Sequence, residues 1–346
     1  MAEKKYELQE IQKLQGHTDR VWSVAWNPVA GTDGTPPILA SCSADKTVRI
    51  WKQNPQTSAF NCVGRMRVHT ESVRSCSWSQ NGHLLAVASF DGKVSIWNKT
   101  ETGFEFWHFL KGDKNIEVES VSWDASGAHL ATCGRDKSVC IWRVEDKYTF
   151  EVMAQLRKHK QDVKMVQWHP SDEILFSCSY DNTIKVWPRY SDHDEWNCTE
   201  TLDHAKKGHS STVWSISFNA TGDKMVTSSD DLSIKVWGAE RRQSGGSYGP
   251  WKHLQTLSGN HDQTISSVHW SSEGIIASGA ADDAICLFEE NQDGLESGAN
   301  YKLLLKKVKA HERDVNSVQW SPKEVGLLAS SGDDGTIKIW KLISPQ

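Results

Sequence analysis

Seven aromatic residues, Trp51, Trp97, Trp142, Trp187, Trp237, Phe288 and Trp340, stand 46, 45, 45, 50, 51 and 52 residues apart. Six residues before each lies an Asp: Asp45, Asp91, Asp136, Asp181, Asp231, Asp282 and Asp334. Ten residues before it, six units carry Ser41, Thr132, Ser177, Thr227, Ser278 or Ser330, and the second carries Val87. Further upstream, six units have a His (His17, His69, His159, His209, His261, His311), and Asp113 takes its place in the third. A pattern of this kind at this period is the mark of a four-stranded propeller blade.

The strands within a unit follow from alternation at period two. In the fourth unit, 163–168, 174–179 and 183–187 read as three strands, and the fourth is the stretch before the next His, such as 301–308. Asp91-Gly92, Asp181-Asn182 and Asp334-Gly335 suit tight turns, because Gly and Asn tolerate positive φ. A lone blade cannot bury both faces, so the units must stack, and a closed circle also shields their edges. The fold class is therefore all-β, a single seven-bladed β-propeller, with repeats at about 16–51, 69–97, 112–142, 159–187, 209–237, 261–288 and 311–340. Only six residues follow Trp340, too few for a last strand, while 6–14 is strand-like and spare. That segment is expected to complete the seventh blade beside 336–342 and clasp the ring.

Four units hold the full set: His17/Ser41/Asp45/Trp51, His159/Ser177/Asp181/Trp187, His209/Thr227/Asp231/Trp237 and His311/Ser330/Asp334/Trp340. Ser, His and Asp invite a hydrolase reading. A catalytic triad is needed once, however, whereas this set recurs with a Trp whose N–H must find a buried acceptor. It reads as a structural tetrad. No unique acid–base or nucleophile cluster stands outside the repeat, so an enzyme is not expected.

Tryptophan, at 17 residues, is the compositional outlier of this 346-residue chain, and the formal net charge of −5 disfavours nucleic acid or an anionic membrane as partner. No run of 18 apolar residues exists, and residues 1–15 lack the apolar core of a signal peptide, which places the chain in the cytoplasm, with the nucleus as a second compartment. The eight cysteines (Cys42, Cys62, Cys76, Cys133, Cys140, Cys178, Cys198, Cys286) include no Cys-x-x-Cys pair. They read as small buried hydrophobes in a reducing compartment, and neither a metal nor a cofactor is expected.

Antiparallel strands send loops alternately to the two faces of the ring. The insertions at 29–37, 239–250 and 289–300 fall on one face and read as solvated loops or, alternatively, as binding elements. The opposite face has short loops and three variable positions per blade. The outer first-strand positions are Arg20, Ser72, Glu117, Asp162, Thr212, Thr264 and Asp314; the inner ones are Trp22, Arg74, Glu119, Lys164, Trp214, Ser266 and Asn316. Before the turn Asp stand Ala44, Phe90, Arg135, Tyr180, Asp230, Ala281 and Asp333. Aromatic and Arg residues of this kind dominate binding hot spots. The candidate partner-binding set is Arg135, Phe90, Tyr180, Arg74, Trp22, Trp214, Arg20 and Lys164. Phe90, Arg135 and Tyr180 fall on consecutive blades, where Arg could grip a carboxylate and the aromatics an apolar side chain. Trp22 and Trp214 could instead merely cover the hydrophobic rim.

The repeat resembles that of WD40 proteins from about Gly16 to Trp340, although none of the seven final aromatics is followed by Asp. Within that superfamily, Cys133-Gly-Arg-Asp-Lys-Ser-Val-Cys-Ile-Trp142, the stretch from Asp162 to Trp168-His-Pro-Ser171, Ser211-Thr-Val-Trp214, Ala281-Asp-Asp-Ala-Ile285 and Pro322-Lys-Glu-Val-Gly-Leu-Leu-Ala-Ser330 resemble the WD40 subunit of the cytosolic iron–sulfur protein assembly machinery. The resemblance implies a non-catalytic scaffold that helps deliver clusters to extramitochondrial apo-proteins. Its implied partners are a small iron–sulfur assembly subunit, a HEAT-repeat adaptor, an iron-hydrogenase-like cluster carrier and client apo-proteins. By position, Arg135 matches a top-face arginine associated with function in that family. Other propeller scaffolds stay open. A ubiquitin-ligase substrate receptor would usually show Trp-Asp-x-Arg, which is absent. A G-protein β subunit would carry a long N-terminal helix, for which 1–15 is too short. A histone or peptide reader could use Asp162, Asp230, Asp314 and Asp333 to attract a basic tail.

Overall fold

The computed structural model describes residues 6–31, 34–110, 116–145, 149–190, 195–241, 248–291 and 300–344. Asp113 and parts of all three insertions lie outside them. Antiparallel strands form seven sheets, one per blade. The innermost strands are Val21–Trp26, Val73–Trp78, Val118–Trp123, Val163–Trp168, Val213–Phe218, Ile265–Trp270 and Val315–Trp320. Together they line a central channel of about 530 Å³. The fourth blade departs from the pattern. Pro188 occupies its third strand, Ile184–Tyr190, and has no N–H for the ladder. The outer strand accordingly splits into Glu195–Trp196 and Glu200–Leu202, which pair on either side of it.

The core is divided into seven apolar clusters, each between two neighbouring blades. Many of the tryptophans fall into two series. One is the repeated third-strand residue already noted. The other ends the innermost strands: Trp26, Trp78, Trp123, Trp168, Trp270 and Trp320, with Phe218 in the fifth blade. Trp26, Trp78 and Trp168 donate their indole N–H to Gln319, Ala25 and Ser122 carbonyls of the preceding blade, at 2.9–3.0 Å. An innermost strand is a sheet edge, and its free amides need acceptors. Neighbouring side chains supply them: Ser317 and Gln319 for Val24 and Trp26, Ser215 and Ser217 for Val268 and Trp270, and Ser267 for Val318. His269 Nδ1 accepts from the Trp320 amide at 3.2 Å, and burial, which pushes its pKa down to about 4, keeps the ring neutral for that task.

The last blade is completed by Glu7–Leu14, antiparallel to Ile337–Ile343. A bulge between Glu10 and Gln12 reverses the side-chain alternation. As a result Leu8 packs in the cluster between blades six and seven, and Leu14 in that between seven and one. Each leucine is 2% exposed. Gln12 also exchanges two hydrogen bonds with the Phe60 backbone in the first blade, at 2.9 and 2.7 Å.

Inside the blades, the tetrads form directed chains. In blade one, Trp51 Nε1 donates to Ser41 Oγ at 2.9 Å, Ser41 lies 2.8 Å from His17 Nε2, and His17 Nδ1 lies 2.9 Å from Asp45. The indole can only donate and the carboxylate only accept, so the hydroxyl donates to Nε2 and Nδ1–H donates to Asp45. The same chain links Trp187, Ser177, His159 and Asp181; Trp237, Thr227, His209 and Asp231; and Trp340, Ser330, His311 and Asp334. Blade two, with Val87, draws its hydroxyl from elsewhere: Ser95 takes the Trp97 N–H at 2.9 Å and meets His69 at 2.8 Å. Blade six ends in Phe288 and keeps only His261, Ser278 and Asp282.

Burial disfavours the charged carboxylates of Asp45, Asp181, Asp231 and Asp334. Hydrogen bonds from His17, His159, His209 and His311, from the neighbouring hydroxyls and from backbone amides outweigh it and hold them well below the usual range. Asp91 is likewise drawn down to about 2. Burial also lowers the pKa of His159, His209 and His261.

Two tests follow from this architecture. Burying a leucine contributes about 1.5–3 kcal/mol, and whole domains are stable by only roughly 5–15 kcal/mol. Deleting residues 1–14 is therefore expected to lower the melting temperature sharply and to promote association; a stable, monomeric product would remove the clasp from the account. Because the folded state binds protons on His159, His209, His261 and His269 less readily than the unfolded chain, their contribution to stability is full above about pH 6.5 and is lost as the pH falls. The paired aspartates add a further loss below about pH 4. The melting temperature should thus decline from pH 7 to pH 5 and collapse below pH 4, and a flat profile from 7 to 5 would contradict the neutral-histidine chains.

Candidate partner-binding face

In six of the seven blades the two loops that meet on the short-loop face are tied by the turn Asp, and the third-blade counterpart falls outside the described residues. Asp45, Asp91, Asp181, Asp231, Asp282 and Asp334 each accept the amide of the residue after the blade's His. A second bond recurs in all seven blades at 2.9–3.1 Å: the pre-turn amide donates to the outer first-strand carbonyl. It sets Ala44 beside Arg20, Phe90 beside Ser72, Arg135 beside Glu117, Tyr180 beside Asp162, Asp230 beside Thr212, Ala281 beside Thr264 and Asp333 beside Asp314.

The inner position has a different origin, and the alternation of apolar residues did not reveal it. Every first strand slips register by one residue, with the shift at Trp22, Arg74, Glu119, Lys164, Trp214, Ser266 and Asn316. A bulge takes its residue out of the ladder and re-aims the side chain. Here the seven bulged residues line the channel mouth.

At that mouth five of the eight candidate residues form one network. The guanidinium groups of Arg20 and Arg74 both lie over the Trp22 ring, at 5.2 and 4.7 Å from its centre, and the indole N–H donates to Ser72 at 2.8 Å. Arg74 and Lys164 both reach Glu119, at 3.4 and 2.8 Å. Lys164 faces the Trp214 ring at 5.4 Å, and Trp214 donates to Asp230 at 2.6 Å. Arg20 approaches Asp333 at 3.8 Å, and Asn316 donates to Asp333 at 2.8 Å. Trp22 and Trp214 are thus half-buried parts of a polar mouth. Lys164 has only 11% of its side chain exposed and is less available than its place on the face suggests.

Arg135, Phe90 and Tyr180 stand further out. Arg135 meets Glu117 at 3.1 Å with 63% of its side chain in solvent, Tyr180 is 55% exposed and Phe90 is half-buried. They occupy blades three, two and four, the outer ring of the face.

The opposite face differs from expectation in one respect. The insertion at 239–250 does not lie wholly in solvent: Ala239 and Tyr248 are buried, and Tyr248 stacks near His169 at 4.8 Å and Trp251 at 6.0 Å. Two aromatics gain more by filling the seam between blades four and five than by hydration.

Comparison with known proteins agrees with this architecture. The model described as "WD domain, G-beta repeat" matches residues 8–52, 60–98, 104–143, 150–188, 196–238, 251–289 and 302–341. The chain is 59% identical over 347 residues to "Protein CIA1" of Arabidopsis thaliana, covering 99% of this chain and 98% of the relative. It is 42% identical to the "Probable cytosolic iron-sulfur protein assembly protein CIAO1 homolog" of Chlamydomonas reinhardtii and 39% identical to the Ciao1 protein of the same description from Culex quinquefasciatus, with at least 96% of every chain covered. The chain belongs to the WD40 family of cytosolic iron–sulfur protein assembly proteins. The eight cysteines are free in this family member, and burial raises the thiol pKa of Cys42, Cys133, Cys178 and Cys286, the last to about 12. Such thiols disfavour the thiolate that a metal needs.

The turns that set the pre-turn side chains carry strain. The residue after each turn Asp has positive φ, and in blade five this is Leu232 at 61°. A left-handed non-glycine costs about 1–2 kcal/mol, partly offset by glycine's freedom in the unfolded chain. Leu232→Gly should raise the unfolding free energy by about 0.5–1 kcal/mol in denaturant titration; a loss of stability would show that the leucine side chain packs to advantage.

Proposed function

We propose that this chain is an interaction scaffold of cytosolic iron–sulfur cluster assembly, helping deliver clusters to extramitochondrial apo-proteins without catalysing a reaction itself. The observation that carries this reading is full-length identity to relatives named for that process, 42% and 39% over at least 96% of the chain. The fold supports it: the residues that vary between blades gather on one face, while the Ser, His and Asp residues are engaged inside the blades. Its partners are the small iron–sulfur assembly subunit, the HEAT-repeat adaptor, the iron-hydrogenase-like carrier and client apo-proteins, and its compartment is the cytosol. The proposed contact residues are Arg135, Phe90, Tyr180, Arg20, Arg74, Trp22, Trp214 and Lys164. Arg135 and Tyr180 project from the outer ring and would meet a partner first; the channel mouth supplies a firm floor beside them.

A reader of basic tails is less well served. Asp162 lies 3.6 Å from Lys164, Asp230 accepts from Trp214 and Thr264, and Asp333 accepts from Asn316. Three of the four carboxylates that such a reader would use are already engaged.

The test is Arg135→Glu. Its side chain is mostly in solvent, so the melting temperature should move little, while charge reversal at a contact of this type weakens binding by a factor of about ten or more. Affinity capture from cytosol with mass spectrometry should recover the assembly partners with the parent protein and lose them with the variant. Retention of the same partners at the same affinity would remove Arg135 from the site, and recovery of none by the parent protein would remove the assembly reading.

A further inference from the structure

Glu119 lines the channel mouth from blade three and was not among the residues that the sequence singled out for binding. It is 6% exposed, and the first-strand bulge of blade three aims it at the channel. Its two oxygens meet different blades: Oε2 lies 3.4 Å from Arg74 Nε of blade two, and Oε1 lies 2.8 Å from Lys164 Nζ of blade four. Each cation in turn faces an indole, Arg74 that of Trp22 in blade one and Lys164 that of Trp214 in blade five. One buried carboxylate therefore links side chains from five consecutive blades.

We propose that Glu119 is a positioning residue of the partner-binding face, holding Arg74 and Lys164, and through them Trp22 and Trp214, in one preset arrangement before a partner arrives. The proposal rests on the reading of this face as the binding site. Its physical basis is twofold. A buried carboxylate must be paired, and here the pairing restrains two long, flexible cations that would otherwise sample many rotamers. Side chains ordered in advance lose less freedom on association. Neutralising Glu119 removes the counter-charge that Arg74 and Lys164 share and leaves Lys164 with Asp162, 3.6 Å away, as its remaining carboxylate, so both cations shift relative to the rings.

The experiment uses the full chain, the immobilised small iron–sulfur assembly subunit as probe, and the variants Glu119→Gln, Lys164→Met and their combination, with Arg135→Glu titrated alongside. Indole-labelled ¹H–¹⁵N spectra of the free protein report Trp22 and Trp214 directly, a readout that a purely stabilising role would not move. The expected result is a shift or broadening of both indole signals in Glu119→Gln, an affinity loss of about tenfold, and a double variant no weaker than the worse single one, because both substitutions break the same link. Unmoved indole signals overturn the proposal. Shifted signals with unchanged affinity overturn it too. If Arg135→Glu weakens binding while Glu119→Gln does not, positioning falls and the face survives; if neither weakens it, the reading of the face falls and takes the proposal with it. Should Glu119→Gln fail to fold, Lys164→Met alone must still shift the Trp214 signal and weaken binding for the proposal to stand.

Discussion

Closure of the ring is the constraint on which the rest depends. A blade has two apolar faces and no core of its own, so each of the seven clusters belongs to a pair of neighbours. An open array would leave one face of its first and last blades in water. The chain solves this with a strand taken from its beginning and laid against its end. One bulge turns that strand's two leucines to opposite sides, so a single segment seals both seams of the last blade. Hydrophobic burial between blades does the sealing, and the backbone ladder of Glu7–Leu14 fixes its register.

Within that ring, repeated and unrepeated positions do different work. The tryptophan, hydroxyl, histidine and aspartate of a blade form a one-way hydrogen-bond chain that ends on the short-loop face, where the carboxylate anchors the two loops that meet there. The repeated residues thus provide a stiff rim. The side chains between them are free to differ from blade to blade, and they are the ones with aromatic and cationic character. Core packing and channel lining are thereby separated onto neighbouring residues of the same strand: Val21 is fully buried between blades, while Trp22, beside it, looks into the channel mouth.

What the sequence made legible follows from this division. The blade count, the clasp and the tetrads could be read because they rest on spacing, and spacing survives when neighbouring residues change. The Ser95 hydroxyl that replaces the one missing at Val87 was not legible, because it comes from the facing strand two residues before Trp97 rather than from the expected position. The second tryptophan series was visible as composition but not as a role, since the acceptors of Trp26, Trp78 and Trp168 are main-chain carbonyls of another blade. The bulges were hidden for a deeper reason. A period-two pattern shows which residues face the core, yet a one-residue slip occurring at the same place in every blade leaves the pattern intact on both sides of it. The position of Trp22 and its counterparts could be named, but not the geometry that turns them toward the channel.

If this face binds partners as proposed, a charged network suits the channel mouth better than an apolar one of similar shape. Arg74 and Lys164 would lose much rotamer freedom if a partner had to order them, and an exposed apolar patch of two indoles would promote association of the free protein. Pairing the cations to Glu119 and covering the indoles with those cations addresses both problems at once. The indoles stay partly shielded, their N–H groups are satisfied by Ser72 and Asp230, and the guanidinium of Arg20 remains partly in solvent above Trp22. A partner that supplies an acidic or aromatic group over this floor would find it already arranged. On the proposed reading of this face, Arg135 and Tyr180, more exposed and less restrained in the outer ring, would be the positions that distinguish one partner from another, because their contacts would form only when the partner is present.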